Sequence, residues 1–236
     1  MKKAVLVLVL AALVTGGMFA QLGMSMGGGA YFDMSRGNGL DNIITDSSKA
    51  KTASNNTSYG GFVFFDAKFV EVSAGYAYGM IKPTLTNNGE EYKFGGSGLF
   101  DPLMDALMFL AFGVAEMNVW QLNISLLGKY PINLGFLTLY PLGGIEYNRI
   151  MAGTLKFGGE EAPFEEEIAE FSQFGILAGL GIDISLGRQY FIRAQGLFNL
   201  RLPNQFQSAL AKAHGNGVKA GLGLGPRLKV GVGYRL

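Results

Sequence analysis

The sequence predicts an all-β protein, an eight-stranded antiparallel up-and-down barrel that crosses a membrane. Three observations carry this expectation. The chain opens with an export signal. The remainder of the chain alternates apolar and small polar residues with a period of two. The connections between the alternating segments are short and long in turn.

The signal comes first. Met1-Lys2-Lys3 is a positive start, Ala4 to Val14 is an unbroken apolar run, Thr15-Gly16-Gly17 breaks it, and Ala20 precedes Gln21. This three-part layout is that of a secretory signal, with cleavage expected between Ala20 and Gln21. The apolar run falls short of the roughly 20 residues of a spanning helix. Residues 1–20 are therefore expected to be removed, leaving 21–236 as one barrel domain. Losing both lysines takes the formal charge from +1 to about −1.

The mature chain then alternates. In Trp120 to Leu126, Trp120, Leu122, Ile124 and Leu126 share one face, and Gln121, Asn123 and Ser125 the other. Tyr190 to Arg201 sets Tyr190, Ile192, Ala194, Phe198 and Leu200 against Arg193, Gln195, Asn199 and Arg201. Ile176–Leu186, Val70–Tyr78 and Leu228–Leu236 repeat the pattern, with Asp183, Glu71 and Lys229 on their polar faces. Leu22–Asp33, Tyr59–Lys68 and Phe136–Asn148 are weaker segments, glycine-rich or apolar on both sides. These make eight strands of roughly 9–12 residues, long enough to cross a bilayer at a tilt.

Short turns are expected near Lys68-Phe69, Tyr130–Asn133 and Gly187–Gln189. Long loops are expected at Met34–Ser58, Met80–Ala115, Ile150–Glu170 and Pro203–Gly217. Short periplasmic turns and long external loops are the layout of an outer-membrane barrel. A ten-stranded barrel, with Leu99–Gly113 contributing, is the structural rival.

Composition narrows the function classes. Charged residues are 16 %, against roughly 25 % in soluble domains, while aromatics are 12 % and glycines number 36. The near-neutral balance argues against a nucleic-acid partner. With no cysteine there is no disulfide and no thiolate metal site. No cofactor or metal is expected. A soluble barrel also alternates, but its outer face would be long and charged. Here the polar face is small and glycine-rich, which suits a narrow interior. The apolar face turns aromatic toward strand ends, at Tyr76, Tyr78, Trp120, Tyr147, Tyr190, Phe198 and Tyr234, as interfacial girdles do.

The signal, the eight segments and the closing strand together resemble the small outer-membrane barrels of the outer-membrane protein A, X and W type. The final segment is similar to their C-terminal assembly signal: Lys229, Gly231 and Tyr234 match, and Leu236 stands where phenylalanine is usual. The resemblance implies the eight-stranded fold, an outer-membrane location reached by secretion across the inner membrane, and recognition by the barrel-assembly machinery. It also implies contact with a lipopolysaccharide-like outer leaflet. Members of the type serve as structural proteins, adhesins, porin-like channels and, in a few cases, lipid-modifying enzymes.

Glu71, Glu146, Asp183, Arg193, Arg201, Lys229 and Arg235 fall on the inferred lumen face. Buried charges must pair, so these are expected to form acid–base contacts that plug the bore. A gated solute path is the alternative. Leu99–Gly113, with Asp101 and Pro102 as a helix start, reads as a lid or as a loop packed on its own barrel. The acidic run Glu160–Glu170 reads as a solvated loop. His214, the one histidine, sits near Ser208 without any catalytic spacing. The expected function is therefore non-enzymatic: a barrel whose surface loops meet an extracellular ligand. A narrow channel for small or hydrophobic solutes is the second expectation.

Overall fold

The computed structural model describes residues 23–41, 51–87, 90–93, 116–157, 160–164, 172–203, 219–220 and 222–236. Every regular element among them is a strand, and all belong to one antiparallel sheet. In chain order the strands are β1 (Met24–Asp41), β2 (Lys51–Ala67), β3 (Val70–Asn87), the short β4 (Glu90–Lys93) and β5 (Glu116–Lys129). Then come the three-residue β6 (Ile132–Leu134), β7 (Leu137–Phe157), the short β8 (Glu160–Phe164), β9 (Gln173–Leu186) and β10 (Tyr190–Arg201). The two-residue β11 (Lys219–Ala220) and β12 (Gly223–Arg235) complete the set.

The eight long strands are the staves of a barrel, each bonded to the next in sequence, and β1 also pairs with β12 from Ser25 opposite Arg235 to Gly37 opposite Gly223. The sheet thus closes, and its staves satisfy one another's backbone groups without help from water. The four short strands prolong staves rather than adding any. β3 pairs directly with β5 from Val70–Gly128 to Ile81–Met117, so the closed ladder holds eight staves and leaves no gap for a further pair from Leu99–Gly113. That segment itself lies outside the described residues.

Three expectations are corrected. The staves run from 12 residues in β10 to 21 in β7, and all but β10 exceed the roughly 9–12 expected. Much of what read as long loop, including Met34–Asp41, Lys51–Ser58, Met80–Asn87 and Ile150–Phe157, is paired strand. The ladder needs only backbone partners, so it continues where no apolar face remains to mark it. The Tyr130–Asn133 turn is also displaced. Pro131 has no N–H and interrupts the stave, pairing resumes at Ile132–Leu134, and the chain reverses at Gly135-Phe136, where Gly135 takes a left-handed φ of 78°. The turns at Lys68-Phe69 and Gly187–Gln189 stand where they were expected.

Inside and outside are sorted in reverse of a soluble protein. Large apolar side chains face out: Val72 and Val63, Ile124 and Leu126, Ile145, Ile176, Ile192, Val230 and Val232 are all exposed. The interior holds charges, amides and hydroxyls, together with a few rings and two aliphatic groups, one around Leu127, Leu142, Leu177 and Leu197 and one around Met117, Val119 and Ile150. Those rings fit because glycine stands across the ladder from them. Phe64 is opposite Gly27, Tyr140 opposite Gly181, and Phe191 opposite Gly233; a Cβ on any of these glycines would run into its partner's ring. An eight-stranded bore has room for one ring where two side chains would otherwise meet.

Gly181→Val should therefore destabilise the barrel by about 1–3 kcal/mol, the usual cost of overpacking. Gly196→Ala, at an outward glycine with no atom in its path, should change stability by no more than about 0.5 kcal/mol. Urea unfolding of the refolded protein in lipid vesicles measures both.

Candidate functional site

Period-two geometry sends every second side chain of each stave into the lumen. Ten charged groups meet there among the described residues: the carboxylates of Asp33, Asp66, Glu71, Glu146 and Asp183, and the cations Lys129, Arg193, Arg201, Arg227 and Lys229. Five acids against five bases leave the interior neutral.

All but Lys229 divide into two clusters. The one nearer the short turns centres on Arg193, whose side chain is fully buried. Its Nε donates to Asp183 Oδ1 at 2.8 Å and its Nη2 to Asp183 Oδ2 at 2.7 Å, a two-pronged pair across β9 and β10. Nη2 also reaches Asp66 Oδ2 at 2.8 Å, and Nη1 reaches Glu71 Oε2 at 2.9 Å. One guanidinium thus ties β10 to β9, β2 and β3. Lys129 shares Asp66, Gln195 Nε2 donates to Glu71 Oε2 at 2.8 Å, and the Tyr140 hydroxyl donates to Asp183 Oδ1 at 2.9 Å. The rings of Phe64 and Phe191 lie 4.3 Å and 5.1 Å from the guanidinium carbon and close off the remaining approach.

The second cluster, nearer the loops, centres on Arg227. Its Nε donates to Asp33 Oδ2 at 3.0 Å and its Nη2 to Glu146 Oε1 at 2.8 Å. Arg201 Nη2 also donates to Asp33 Oδ2 at 2.8 Å, and Asn199 supports Glu146. Between the clusters lies a layer without carboxylates, with Ser73 and Ser125 bonded at 2.6 Å and Asn123 bonded to the Tyr31 hydroxyl. Lys229 occupies this layer. It donates to Ser73 Oγ at 3.0 Å and sits 5.2 Å from the centre of the Phe62 ring.

The residues read from sequence are divided between these places. Glu71, Asp183 and Arg193 come together in the first cluster, and Glu146 and Arg201 in the second. Lys229 faces the lumen but touches serine rather than a carboxylate. Arg235 is only half-buried at the turn end, where it donates to Ser185 Oγ at 2.8 Å, and so lies apart from both clusters. Sequence reasoning missed Asp33, Asp66, Lys129 and Arg227. Parity could have found two of them: Arg227 keeps step with Lys229, and Asp33 with Ser25 and Gly27.

At the chain end, Lys229 and Gly231 face inward, while Tyr234 meets Tyr190 edge-on at 5.3 Å. The Leu236 amide donates to Met24 O at 3.0 Å, fastening the last residue to the first stave. On the outer surface, Tyr76 stacks on Trp120 at 5.3 Å, with Tyr78 at its edge, and Tyr147 lies 5.0 Å from Phe174. Tyr190, Tyr130 and Phe136 are exposed at the turn end. Rings therefore bound the apolar belt at both levels. Above it Lys156 bonds Glu161 at 2.6 Å, and that bond raises the lysine's pKa. Ser208, His214 and Glu165–Glu170 lie outside the described residues. So do the cleavage residues Ala20 and Gln21. The described residues hold no group of acidic or histidine side chains arranged for a metal ion.

No protein-family model matches the chain, and no curated protein is similar enough in sequence to match it. Among solved structures, it is similar to Neisserial surface protein A, with 12 % identity over 90 % of this chain and 97 % of that one, at a TM-score of 0.41. The attachment invasion locus protein of Yersinia pestis gives 13 % identity over 91 % and 99 %, at 0.33. A major outer membrane protein from Thermus thermophilus gives 13 % over 88 % and 99 %, at 0.39.

Removing the central cation tests the network. Arg193→Met leaves Asp66, Glu71 and Asp183 without their shared partner and should cost about 3–5 kcal/mol of unfolding free energy. Adding Glu71→Gln and Asp183→Asn in the same chain should recover a good part of that loss. Chemical unfolding in vesicles of the single and triple variants gives the comparison.

Proposed function

We propose that the chain is an integral protein of a bacterial outer membrane, without catalytic activity, whose stoppered barrel holds its loops at the cell surface for an extracellular ligand. The single observation that carries this reading is the reversed sorting of the barrel: an apolar belt outside, and five acids neutralised by five bases inside. Water cannot be the solvent of that belt, because a contiguous apolar surface of this size is not stable in it. Lipid can, and the rings at the two ends of the belt suit its interfaces.

The short turns then face the periplasm. The signal, cleaved between Ala20 and Gln21, delivers the chain there. Lys229, Gly231, Tyr234 and Leu236 serve the barrel-assembly machinery on the closing strand. The loop-facing leaflet, lipopolysaccharide-like, surrounds the upper girdle.

The bore supports a surface role over transport. Arg193 alone links four staves across it, Arg227 bridges Asp33 and Glu146 above, and Tyr31, Phe62, Phe64 and Phe191 pack into one buried cluster inside the bore. A channel for small or hydrophobic solutes would have to part buried ion pairs at both levels, each of which costs several kcal/mol to break.

Planar-bilayer recording of the refolded protein decides between the two. The expected result is insertion without steady current, in the wild type and in Asp183→Ala alike. A steady conductance that changes in Asp183→Ala would overturn the stoppered reading and put the lumen charges on a solute path. Exchanging the surface loops for short turns should leave insertion intact and abolish binding to host-cell or matrix preparations that the full-length protein binds.

A further inference from the structure

The outer wall is not evenly clothed. Gly196 faces outward in the middle of β10, opposite Leu180 on β9 and Leu228 on β12, and a Cβ there would meet no atom within 4 Å. Around this bare patch stand Phe32, Leu180, Phe198, Pro226 and Leu228, forming a groove of about 630 Å³. Leu180 and Phe198 are 69 % and 62 % exposed, so the walls stand up from a glycine floor rather than folding over it.

The groove's place on the wall matters. Gly196 lies six residues above the turn-end Tyr190, midway along β10, and Phe32, eight residues above Met24 on β1, carries the groove on toward the loops. Pro226, at its side, has no N–H to give, and the β1–β12 ladder lapses opposite Pro226 and Gly225 before resuming at Arg36 with Leu224. Arg36 is exposed on the same outward face of β1 as Phe32. Four residues of tilted strand, at about 3.3 Å each, place it roughly 10 Å beyond Phe32 toward the loops. A cation at that height stands at the headgroup level, above an apolar slot that runs into the bilayer.

We infer that this groove is a specific seat for one phosphate-bearing acylated lipid of the loop-side leaflet, its acyl chain lying over Gly196 and its phosphate reaching Arg36. The inference rests on the membrane reading above. It goes further in giving one lipid a fixed place, with shape supplied by the glycine floor and charge complementarity by the arginine. The volume falls within the range of small-molecule sites, roughly 300–1,000 Å³.

The test is native mass spectrometry of the full-length protein, first scored for insertion into vesicles by protease protection, then released into mild detergent with dipalmitoylphosphatidylglycerol or dipalmitoylglycerol. The wild type should keep one phosphatidylglycerol. Gly196→Leu, whose Cβ meets no atom and whose branch occupies the groove, should cut retention of both lipids about tenfold. Arg36→Gln should cut phosphatidylglycerol roughly fivefold and leave the phosphate-free lipid unchanged. Equal retention in Gly196→Leu would overturn the seat. So would cross-linking between Leu180→Cys copies within the membrane, which would give the groove to a second copy of the chain. A chain that inserts but keeps no lipid sinks the seat alone; a chain that never inserts sinks the membrane reading together with it.

Discussion

Eight staves enclose a bore too narrow for ions to carry their own water, and the rest of the interior is built around that restriction. A charge placed inside must find its opposite within reach of a hydrogen bond or remain desolvated at a cost of several kcal/mol. The two arginine-centred clusters are the result. Each arginine is anchored by carboxylates from more than one stave, so the pairs also act as cross-ties through the barrel axis. Strand pairing holds each stave to its neighbours; the cross-ties hold it to the far wall.

The same narrowness accounts for the glycines. A ring pointing inward needs an empty position across the ladder, which Gly27, Gly181 and Gly233 supply. Glycine is poor in an isolated strand because it weakens packing. Here its missing side chain is the space into which the partner packs. The outer wall has the opposite economy, with valine, isoleucine and leucine at many outward positions and a bare glycine at 196.

Much of this was legible in the sequence, because lipid outside and ions inside impose the strictest alternation a strand can have. Trp120–Leu126 and Tyr190–Arg201 read directly into outward and inward faces. The misses have physical causes. Phe62 and Phe64 point inward beside Asp66, so that stretch looked apolar on both sides and the acid was passed over. The closing strand reads from sequence as starting at Leu228, whereas it starts at Gly223, so Arg227 fell one residue outside the segment whose faces were sorted. The upper halves of β1, β2, β3 and β7 stand beyond the belt, where neither face need be apolar and the period vanishes.

The order of the charges along the chain has a consequence for how the barrel is made. Asp33, Asp66 and Glu71 come early, with Lys129 the one early cation in the lumen set; Arg193, Arg201, Arg227 and Lys229 all come late. Arg227 and Asp33 are 194 residues apart, and Arg193 and Asp66 are 127 apart. The two halves of the interior are therefore electrostatic complements, the first in excess of acid and the second in excess of base. A nascent chain that stopped after β7 would carry uncompensated carboxylates into any attempt at insertion. With all eight staves in place the ten lumen charges balance, so the neutrality of the interior belongs to the closed barrel and to neither half alone.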